Sequence, residues 1–551
     1  MDQSDRGDRR MTNCGWNSIM KNICLGVPLL CFPIVGDHFT NRKLVVDDWR
    51  VELDRYDQKP LTRSEVAEKI VRHVTPSVQL ALKLASKGFT ITFVNTQVIH
   101  HQLIKSQPHS TSAAVIEDDI FAGARELGLD IRYKTMTDGF PLEVNRILNP
   151  QFVVRNFLSL PAHVDELVGD LVESDPSVSC LIADTCYTWA SEIAQKYKLV
   201  NISFWTQPAL VFNIYHHMDL IITNGHYPPQ DNRKGTIDYI PGVRAIEPKD
   251  LPSYLQETNT VAHQFLDKAF KEVKNADFIL CNTIEELESN SMSTLQEKNQ
   301  PIYAIGPLID FSNEFTKRNI VPTSMRTELN CTQWLNTKPH GSVLYVSFGS
   351  SIPSKVSDIE EIAHGLVLSG VNFVWVLRRD AVSFEEPYVL PIEIQDEIKD
   401  KGLVLTWTNQ IEVLSHPSIG GFLTHCGWNS VLESLWCSGV PLLCFPLRGD
   451  QITNRKIVVD DWRIGLNLCD RKPLTRSEVA EKITRLMSEN SADELKKEVI
   501  KVSQMVLNAL AIDGSSEKSS SDFVVDVKAK LDGHRNLKIP QEHSKPFHIK
   551  L

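Results

Sequence analysis

The stretch that decides the fold runs from Trp407 to Gln451 and reads WTNQIEVLSHPSIGGFLTHCGWNSVLESLWCSGVPLLCFPLRGDQ. Its apolar run GGFLT ends at His425, turns through Gly427 and continues as a predicted helix that opens at Asn429. A strand that turns directly into a helix is typical of a doubly wound α/β sheet, where ligands bind at the carboxyl ends of the strands. The stretch therefore predicts an α/β fold and the position of a ligand.

The side chains around this turn suit a nucleoside diphosphate. Free N–H groups and the positive end of the helix dipole form an anion site, where His425, Asn429 and Ser430 add side-chain donors. Glu433 lies one helical turn further on the same face as Asn429. A carboxylate in that position can accept hydrogen bonds from a ribose diol.

The two ends of the stretch suit a base and a sugar. Trp407 offers an aromatic face to a base, and Gln410 is near enough to bond sugar or ribose hydroxyls. Asp450 and Gln451 follow the apolar run PLLCF, and a carboxylate beside an amide at a strand end suits a hexose. Taken singly, a Trp at a strand end more often packs in a core, and GWNS is a helix N-cap with a turn. Their combination in one short stretch favours a ligand site.

Length and composition limit the classes of protein. With 551 residues the chain exceeds one ordinary core, so we expect two or more domains. The net charge of -11 argues against a nucleic-acid partner. Eleven scattered cysteines without a C-x-x-C pair favour a reduced compartment. With neither a signal-peptide pattern nor a long apolar run, we expect a cytoplasmic protein without a membrane span.

Two missing motifs argue against other reaction classes. The sequence has no G-x-G-x-x-G fingerprint, which argues against a dinucleotide-dependent oxidoreductase. It also has no Asp-x-Asp triplet, which disfavours a metal-dependent transferase of another fold. We expect no metal and no cofactor.

Part of the stretch occurs a second time near the N-terminus. TNCGWNSIMKNICLGVP begins at Thr12 and THCGWNSVLESLWCSGVP at Thr424, while KPLTRSEVAEKI occurs unchanged at Lys59 and Lys472. Two copies this far apart do not make a stacked repeat protein, which needs three or more units. We interpret residues 1–70 as a duplicated fragment of the later domain.

The duplicated fragment has lost the residues that contact a ligand. His425 corresponds to Asn13 and Glu433 to Lys21, and Gln451 is replaced by His in the first copy. A lysine in place of the carboxylate reverses the charge and removes the acceptor for a diol. The apolar run VPLLCFP is kept, so the sequence predicts a fold fragment and no second site.

Alternating helical and strand patterns divide the rest of the chain. The segment VTPSVQLALKLAS predicts a helix from about Pro76 to Ser86, followed by the strand FTITFV and then by VSCLIADT and LVNISFW. Residues 309–330 are polar and predict a linker. A second set of short apolar strands in 331–512 predicts another doubly wound sheet. In 513–551 we expect a Ser-rich turn, DGSSEKSSSD, then a helix at FVVDVKAKL and a polar tail.

The stretch from Trp407 to Gln451 resembles the signature box of plant UDP-dependent glycosyltransferases of small molecules, family 1. The matching positions are Trp407, Gln410, Leu414, His416, Gly420, Phe422, Thr424 to Ser430, Glu433, Gly439 to Pro441, Pro446, Asp450 and Gln451. The resemblance covers about 71–531 and implies the GT-B fold, two Rossmann-like domains facing each other across a cleft. It implies an acceptor-binding domain at 71–308 and a UDP-sugar-binding domain at 331–512.

The same resemblance implies a reaction and its two central residues. A UDP-sugar is the co-substrate, a small lipophilic molecule is the acceptor, and the protein is expected to be a monomer. His73 corresponds to the family's base and Asp184, in CLIADTC, to the aspartate that orients it. The implied reaction is inverting, a direct displacement at the anomeric carbon without a covalent intermediate.

Five further residues are assigned to the UDP-sugar by the resemblance. Thr206 in FWTQP matches a residue near the donor sugar, and Ser350 in SFGS one near the phosphates. Thr408 and Trp428 belong to the box itself. Gln451 at its last position implies glucose as the sugar.

The sequence departs from the family at two places. The glycine usually found before the histidine is Arg72, and LTRSEVAEKIVR predicts a helix where the family has its first strand. The box also has one residue more than usual between Glu433 and Gly439, which the helix end near Ser438 must absorb. We therefore expect a first domain without its first strand.

Three hypotheses follow from this missing strand. The run VPLLCFPIV in 27–35 could replace the strand and leave an active sugar transferase. Alternatively the sheet is incomplete, and the chain is a UDP-sugar-binding protein with impaired catalysis, the product of a rearranged gene. The third is a partner-binding role on the same scaffold.

Overall fold

The computed structural model describes most of the chain after residue 72 and two short segments before it. The described residues are 10–12, 29–31, 73–106, 119–143, 150–229, 235–257, 261–297, 300–309, 321, 323–324, 326–350, 354–382, 387–437, 439–470 and 472–536. The chain divides into two compact units, Met1–Thr62 and Arg63–Leu551. Among the described residues, no helix is both long enough and apolar enough to pass through a lipid bilayer.

The first unit contains two described strands. Strand β1 (Arg10–Thr12) pairs in parallel with β2 (Leu29–Cys31), and the two form a sheet of their own. Strand β2 lies within the apolar run 27–35, so this run has β1 as its described partner. The predicted helix in 61–72 and residue Arg72 lie outside the described residues.

The first half of the second unit alternates helices and parallel strands, as its sequence predicts. Its elements are α1 (Val74–Ser86), β3 (Ile91–Thr96), α2 (Gln97–Lys105), α3 (Ala122–Glu126), β4 (Ile131–Met136), α4 (Pro150–Ser174), β5 (Cys180–Asp184), α5 (Ala190–Tyr197), β6 (Val200–Trp205), α6 (Ala209–His216), α7 (Met218–Thr223), α8 (Val261–Glu272), β7 (Phe278–Cys281), α9 (Ser289–Gln296) and β8 (Ile302–Ala304). Short 3-10 turns occur at Pro248–Asp250, Ser253–Leu255 and Val273–Asn275.

The strands of this half belong to two separate sheets. Strand β3 pairs with β4, its one partner among the described strands, and the other sheet has the order β5-β6-β7-β8. Every residue of β6 and β7 is buried, whereas β3 and β5 are mostly half-buried. Interior strands of parallel sheets are normally buried on both faces. Within the described residues, one edge of β3 and one edge of β5 have no partner strand. This agrees with the expectation that the first strand of the domain is missing. The missing strand itself stays a prediction.

Helix α1 packs against the side chains of both sheets. Val78 and Leu82 belong to the apolar cluster formed with β3 and β4. Leu80 and Leu84 belong to the cluster formed with β6 and β7. Because side chains four residues apart share a helical face, α1 presents one apolar stripe to each cluster. The helix thereby fixes the position of its first turn relative to both sheets.

The second half contains a six-stranded sheet flanked by helices. Its elements are α10 (Thr332–Leu335), β9 (Val343–Ser347), α11 (Val356–Ser369), β10 (Asn372–Val376), α12 (Ile392–Ile398), β11 (Gly402–Leu405), α13 (Gln410–Leu414), β12 (Ile419–Thr424), α14 (Trp428–Cys437), β13 (Leu442–Cys444), α15 (Gln451–Lys456), β14 (Gly465–Asn467), α16 (Arg476–Met487), α17 (Glu489–Leu510) and α18 (Ser515–Asn536). Residues Ile457–Asp461 form a π-helical turn.

The sheet of this half is doubly wound. Its strand order is β11-β10-β9-β12-β13-β14, and all of its pairs are parallel. The chain starts in the middle of the sheet, builds outward in one direction and then in the other, so that strand order reverses between β9 and β12. The predicted α/β class with two Rossmann-like halves is confirmed.

The prediction of a Ser-rich turn over 513–522 is wrong, because helix α18 already begins at Ser515. The hydroxyl of Ser516 donates to the backbone carbonyl of Gly306 (2.5 Å). The carboxylate of Glu517 forms ion pairs with Lys83 (2.9 Å) and Lys87 (2.8 Å) of α1. These contacts with the first half stabilise a helical turn that serine alone would disfavour.

We predict that Glu517→Ala destabilises the protein strongly. The Lys83 side chain is only 1% exposed, so loss of Glu517 removes a carboxylate that pairs with this buried ammonium, which costs about 3 kcal/mol. The measurement is the denaturant midpoint. The control is Glu498→Ala, because Glu498 pairs with Lys501 on the surface and should contribute less than about 1 kcal/mol. Equal midpoints for the two variants would contradict the prediction.

Candidate functional site

Residues at the carboxyl ends of the two large sheets meet. Asp184 ends β5, Thr206 follows β6 and Asn282 follows β7, so all three lie at one edge of the first sheet. The indole N–H of Trp428, at the start of α14, donates to the backbone carbonyl of Asn282 (2.7 Å). The Asn282 side-chain amide donates to Oδ1 of Asn429 (3.4 Å). The carboxyl ends of the strands of both sheets therefore face each other.

His73 and Asp184 are in contact although they are far apart in sequence. The backbone carbonyl of His73 accepts hydrogen bonds from the N–H (3.1 Å) and hydroxyl (2.6 Å) of Ser77, which fixes the residue at the start of α1. Nδ1 of its ring hydrogen-bonds to Oδ2 of Asp184. The imidazole is 16% exposed, and none of the described residues hydrogen-bonds to its Nε2. A histidine held through Nδ1 can accept a proton at Nε2.

Asp184 is held as a carboxylate. Burial raises the pKa of Asp184, but the neighbouring His73 ring and hydrogen bonds from Cys186 outweigh burial, so that the pKa is lowered from its usual value. The backbone N–H of Cys186 donates to Oδ1 (2.8 Å), while Oδ2 faces the imidazole. An ionised carboxylate in this position sets the tautomer of His73 and stabilises its protonated form.

The turn before α14 is built around His425. A Cβ atom added at Gly349 would lie 2.4 Å from Nε2 of His425, and so would one added at Gly427. Cys426 adopts a φ of 63°, which reverses the chain between the strand and the helix. The imidazole is thus enclosed between two glycines at the N-terminus of α14, where an anion is stabilised by the helix dipole.

Gln410, Ser430 and Glu433 form a hydrogen-bonded cluster beside this turn. The amide nitrogen of Gln410 donates to the Ser430 hydroxyl (3.0 Å) and to the Glu433 carboxylate (2.6 Å). Its carbonyl oxygen accepts from the hydroxyl of Tyr345 (3.3 Å). Burial raises the pKa of Glu433 to about 7, although the bond from Gln410 opposes this shift. Glu433, the predicted acceptor for a ribose diol, therefore lies next to Gln410, the predicted amide for sugar or ribose hydroxyls.

Trp407 and Thr408 follow β11 and contact the segment before β9. The guanidinium of Arg326 lies 5.5 Å from the centroid of the Trp407 ring, within range of a cation–π contact. The hydroxyl of Thr408 donates to the backbone carbonyl of Leu329 (2.7 Å). The hydroxyl proton of Thr408 is therefore used in a hydrogen bond within the protein. Only the backbone and the hydroxyl oxygen of Thr408 remain for a ligand.

Two buried polar atoms near the strand ends have no hydrogen-bond partner among the described residues. They are Nε2 of Gln451 and Oγ1 of Thr206, whose residues are 0% and 4% exposed. Burying such groups unpaired is costly, so a bound hydroxyl is a fitting partner. Asp450 lies beside Gln451 and accepts a bond from Asn454 (2.7 Å), while the carbonyl of Ser350 accepts from the guanidinium of a buried arginine (2.6 Å).

Three residues of the site do not follow from the sequence. Asn282 joins the two halves, Tyr345 orients Gln410, and Gly349 makes room for His425. The one signal available is the glycine, because SFGS follows a buried strand and its Gly349 has a φ of 75°. The predicted insertion at Ser438 lies outside the described residues, between the end of α14 and Gly439.

A known family has the same sequence features as this chain. The family described as "UDP-glucoronosyl and UDP-glucosyl transferase" matches residues 305–508. UDP-glycosyltransferase 86A1 of Arabidopsis thaliana is 53% identical over 469 residues, which cover 84% of this chain and 93% of the relative. The chain belongs to the UDP-glycosyltransferase family. It is an enzyme of this family, which transfers sugar from a UDP-sugar to small molecules.

Further comparisons with UDP-glycosyltransferases agree in fold and extent. 7-Deoxyloganetin glucosyltransferase of Gardenia jasminoides is 34% identical over 482 residues, with 83% of this chain and 95% of the relative covered. The structure of Phytolacca americana UGT2 with UDP-2-fluoro-glucose and pterostilbene superposes with a TM-score of 0.66 at 25% identity, covering 83% and 97% of the two chains. A UDP-glucose: anthocyanidin 3-O-glucosyltransferase in complex with UDP gives a TM-score of 0.69 at 25% identity, covering 83% and 96%. The predicted GT-B fold is confirmed.

We predict that Gly349→Ala weakens binding of UDP at least about tenfold, because the added methyl group displaces the His425 ring from the helix N-terminus. Isothermal titration with UDP measures the loss. The matched control is Gly341→Ala: Gly341 also has a positive φ (64°), but no atom lies within 4 Å of an added Cβ. Equal affinities for both variants would contradict the role given to the enclosed imidazole.

We predict that binding of the donor depends on pH through Glu433. Its pKa of about 7 lies above the usual value, so the carboxylate that we expect to accept hydrogen bonds from the ribose diol is mostly protonated below this pH. The KM for UDP-glucose should fall about tenfold between about pH 6 and pH 8. Initial rates across this range measure the change, and Glu433→Gln should make KM independent of pH. The same slope in wild type and variant would assign the titration to another group.

Proposed function

We propose that this enzyme transfers glucose from UDP-glucose to a hydroxyl group of a small lipophilic acceptor, with inversion at the anomeric carbon. The observation that carries this proposal is the contact of His73 with Asp184. Asp184 lies at the carboxyl end of its sheet, which faces the stretch from Trp407 to Gln451. The relatives named as glucosyltransferases support glucose as the sugar. Both halves of the chain contribute to the proposed site.

The acceptor is activated by His73. Nε2 removes the proton of the acceptor hydroxyl as its oxygen attacks the anomeric carbon from the side opposite UDP. The carbon–oxygen bond to UDP breaks as the new glycosidic bond forms, so the configuration inverts. Asp184, already ionised, stabilises the imidazolium that results. No covalent enzyme intermediate is needed.

UDP is held by the second half. Trp407 stacks on the uracil. The Glu433 carboxylate accepts hydrogen bonds from the ribose hydroxyls, and the neighbouring Gln410 amide also bonds to the ribose. The N-terminus of α14, with His425 and Ser430, holds the diphosphate. These fixed dipoles stabilise the negative charge that grows on UDP as it departs, so we propose that no metal ion is required.

The sugar lies between the two sheets. The unpaired Nε2 of Gln451 donates to one hydroxyl of the sugar, and Asp450 accepts from a neighbouring one. Thr206 supplies its buried hydroxyl from the opposite sheet. Trp428 and Asn429, which hold the two halves together, keep this sugar near the base.

We predict that His73→Ala lowers kcat by about 10²–10⁴-fold and changes the Kd of UDP-glucose less than about twofold, because only the base is removed. Turnover of UDP-glucose with a panel of phenols and alcohols, in buffer with EDTA, measures kcat. His101→Ala is the control, since His101 is exposed on α2. Unchanged turnover in His73→Ala would overturn the proposed base.

A second candidate function is binding of UDP-glucose with impaired turnover. It is favoured because, among the described residues, β3 and β5 each have one edge without a partner strand, and the first strand predicted to be missing would directly precede His73. In the same assay, this function gives wild-type binding of UDP-glucose and no transfer to any acceptor. Absence of UDP-glucose binding would exclude both functions and leave a partner-binding role on the scaffold.

A further inference from the structure

The turn that carries Asp450 and Gln451 is organised from within by the Gln451 side chain. Its Oε1 accepts hydrogen bonds from the backbone N–H groups of Leu447 (2.9 Å) and Arg448 (3.1 Å). This fixes the orientation of the amide, since the carbonyl end is occupied by the turn. The buried Nε2 is not used by the turn and has no hydrogen-bond partner among the described residues, so it is left for the proposed sugar. Any shift of the turn therefore moves Nε2 of Gln451, the hydrogen-bond donor proposed to contact the sugar.

A segment of the first half holds the same turn from outside. Residues 248–257 contain two short 3-10 turns between α7 and α8. The backbone N–H of Ser253 donates to the carbonyl of Gly449 (3.0 Å), and the N–H of Gly449 donates to the Ser253 hydroxyl (2.8 Å). Gly449 has a φ of 68° and directly precedes Asp450. These two bonds in opposite directions fix the peptide groups on both sides of Gly449.

The segment contacts helix α15 at a second point. The hydroxyl of Thr453, which is fully buried, donates to the backbone carbonyl of Asp250 (2.8 Å). The carboxylate of Asp250 forms an ion pair with Arg455, and these side chains are 7% and 12% exposed. Both contacts lie within one turn of Gln451. Residues 250–253 therefore contact the chain on both sides of Asp450 and Gln451.

We propose that residues 250–253 of the first half are positioning residues that set the sugar preference of the enzyme without contacting the sugar. This inference rests on the proposed function, in which Asp450 and Gln451 bind the sugar. Leu251 of the segment belongs to the same apolar cluster as Trp205, which ends β6 directly before Thr206, so the segment connects the turn to this strand.

The chemistry of hexoses makes such positioning effective. Glucose and galactose differ only in the direction of one hydroxyl, so the site distinguishes them by where a few hydrogen-bonding atoms lie. Displacements of about 1 Å at such a site cost large factors in rate. The residues that hold uracil, ribose and diphosphate lie on other elements, between Trp407 and Glu433. Loosening the turn should therefore change the sugar preference and leave the affinity for UDP unchanged.

We predict that Ser253→Ala lowers the kcat/KM for UDP-glucose about tenfold, because the N–H of Gly449 loses its acceptor. The ratio of kcat/KM for UDP-glucose to that for UDP-galactose should fall by a similar factor, while the Kd of UDP stays within about twofold. Thr453→Val removes the second contact and should lower the same ratio. Ser253→Thr keeps the hydroxyl and should restore the wild-type ratio.

The matched control is Ser293→Ala, because the Ser293 hydroxyl donates to the backbone carbonyl of Ser289 within its own helix, away from residues 250–253. An unchanged sugar ratio in both Ser253→Ala and Thr453→Val would overturn the inference. A fall in UDP affinity parallel to the fall in the ratio would also overturn it, since that indicates general damage to the site. If the wild type binds but does not turn over UDP-sugars, the ratio of calorimetric Kd values replaces that of kcat/KM.

Discussion

The hydrogen bond from the Trp428 indole to the Asn282 carbonyl is the interaction on which the rest of the site depends. Trp428 opens the helix whose N-terminus we propose as the diphosphate site, and Asn282 follows a buried strand of the other sheet. One contact thus ties the proposed donor site to the sheet that carries Asp184. The bonds between Ser253 and Gly449 repeat this connection beside the residues proposed to bind the sugar. In the proposed mechanism, these contacts hold the base, the sugar and the leaving group in one geometry.

Much of this arrangement could be predicted from short-range patterns. A parallel strand followed by a helix places its last residues at the ligand edge, which locates His425 and Asp184 without any structure. The spacing of Asn429 and Glu433 on one helical face is equally local. The doubly wound class followed from alternating apolar runs and helices. Each of these inferences uses residues that lie within one strand–helix unit.

Contacts between distant segments could not be predicted in this way. Tyr345 meets Gln410 because β9 and β11 belong to the same sheet, and Asn282 meets Trp428 because the two large sheets face each other. The serines after Gly514 looked like a turn, yet contacts with α1 make them helical. The interpretation of residues 1–70 as a duplicated fragment without a second site stays a prediction. The missing first strand also stays a prediction, because most residues before His73 lie outside the part of the chain that the structure describes.

The central claim is direct transfer from UDP-glucose with His73 as base, and the anomeric configuration of the product tests it most directly. UDP-glucose carries an α-linked sugar, and a single displacement inverts it. Full-length protein is incubated with UDP-glucose and a phenol acceptor, and proton NMR identifies the anomer formed. The account predicts a β-linked glucoside that is lost in His73→Ala. An α-linked product, or a β-linked product made equally well by His73→Ala, would contradict it.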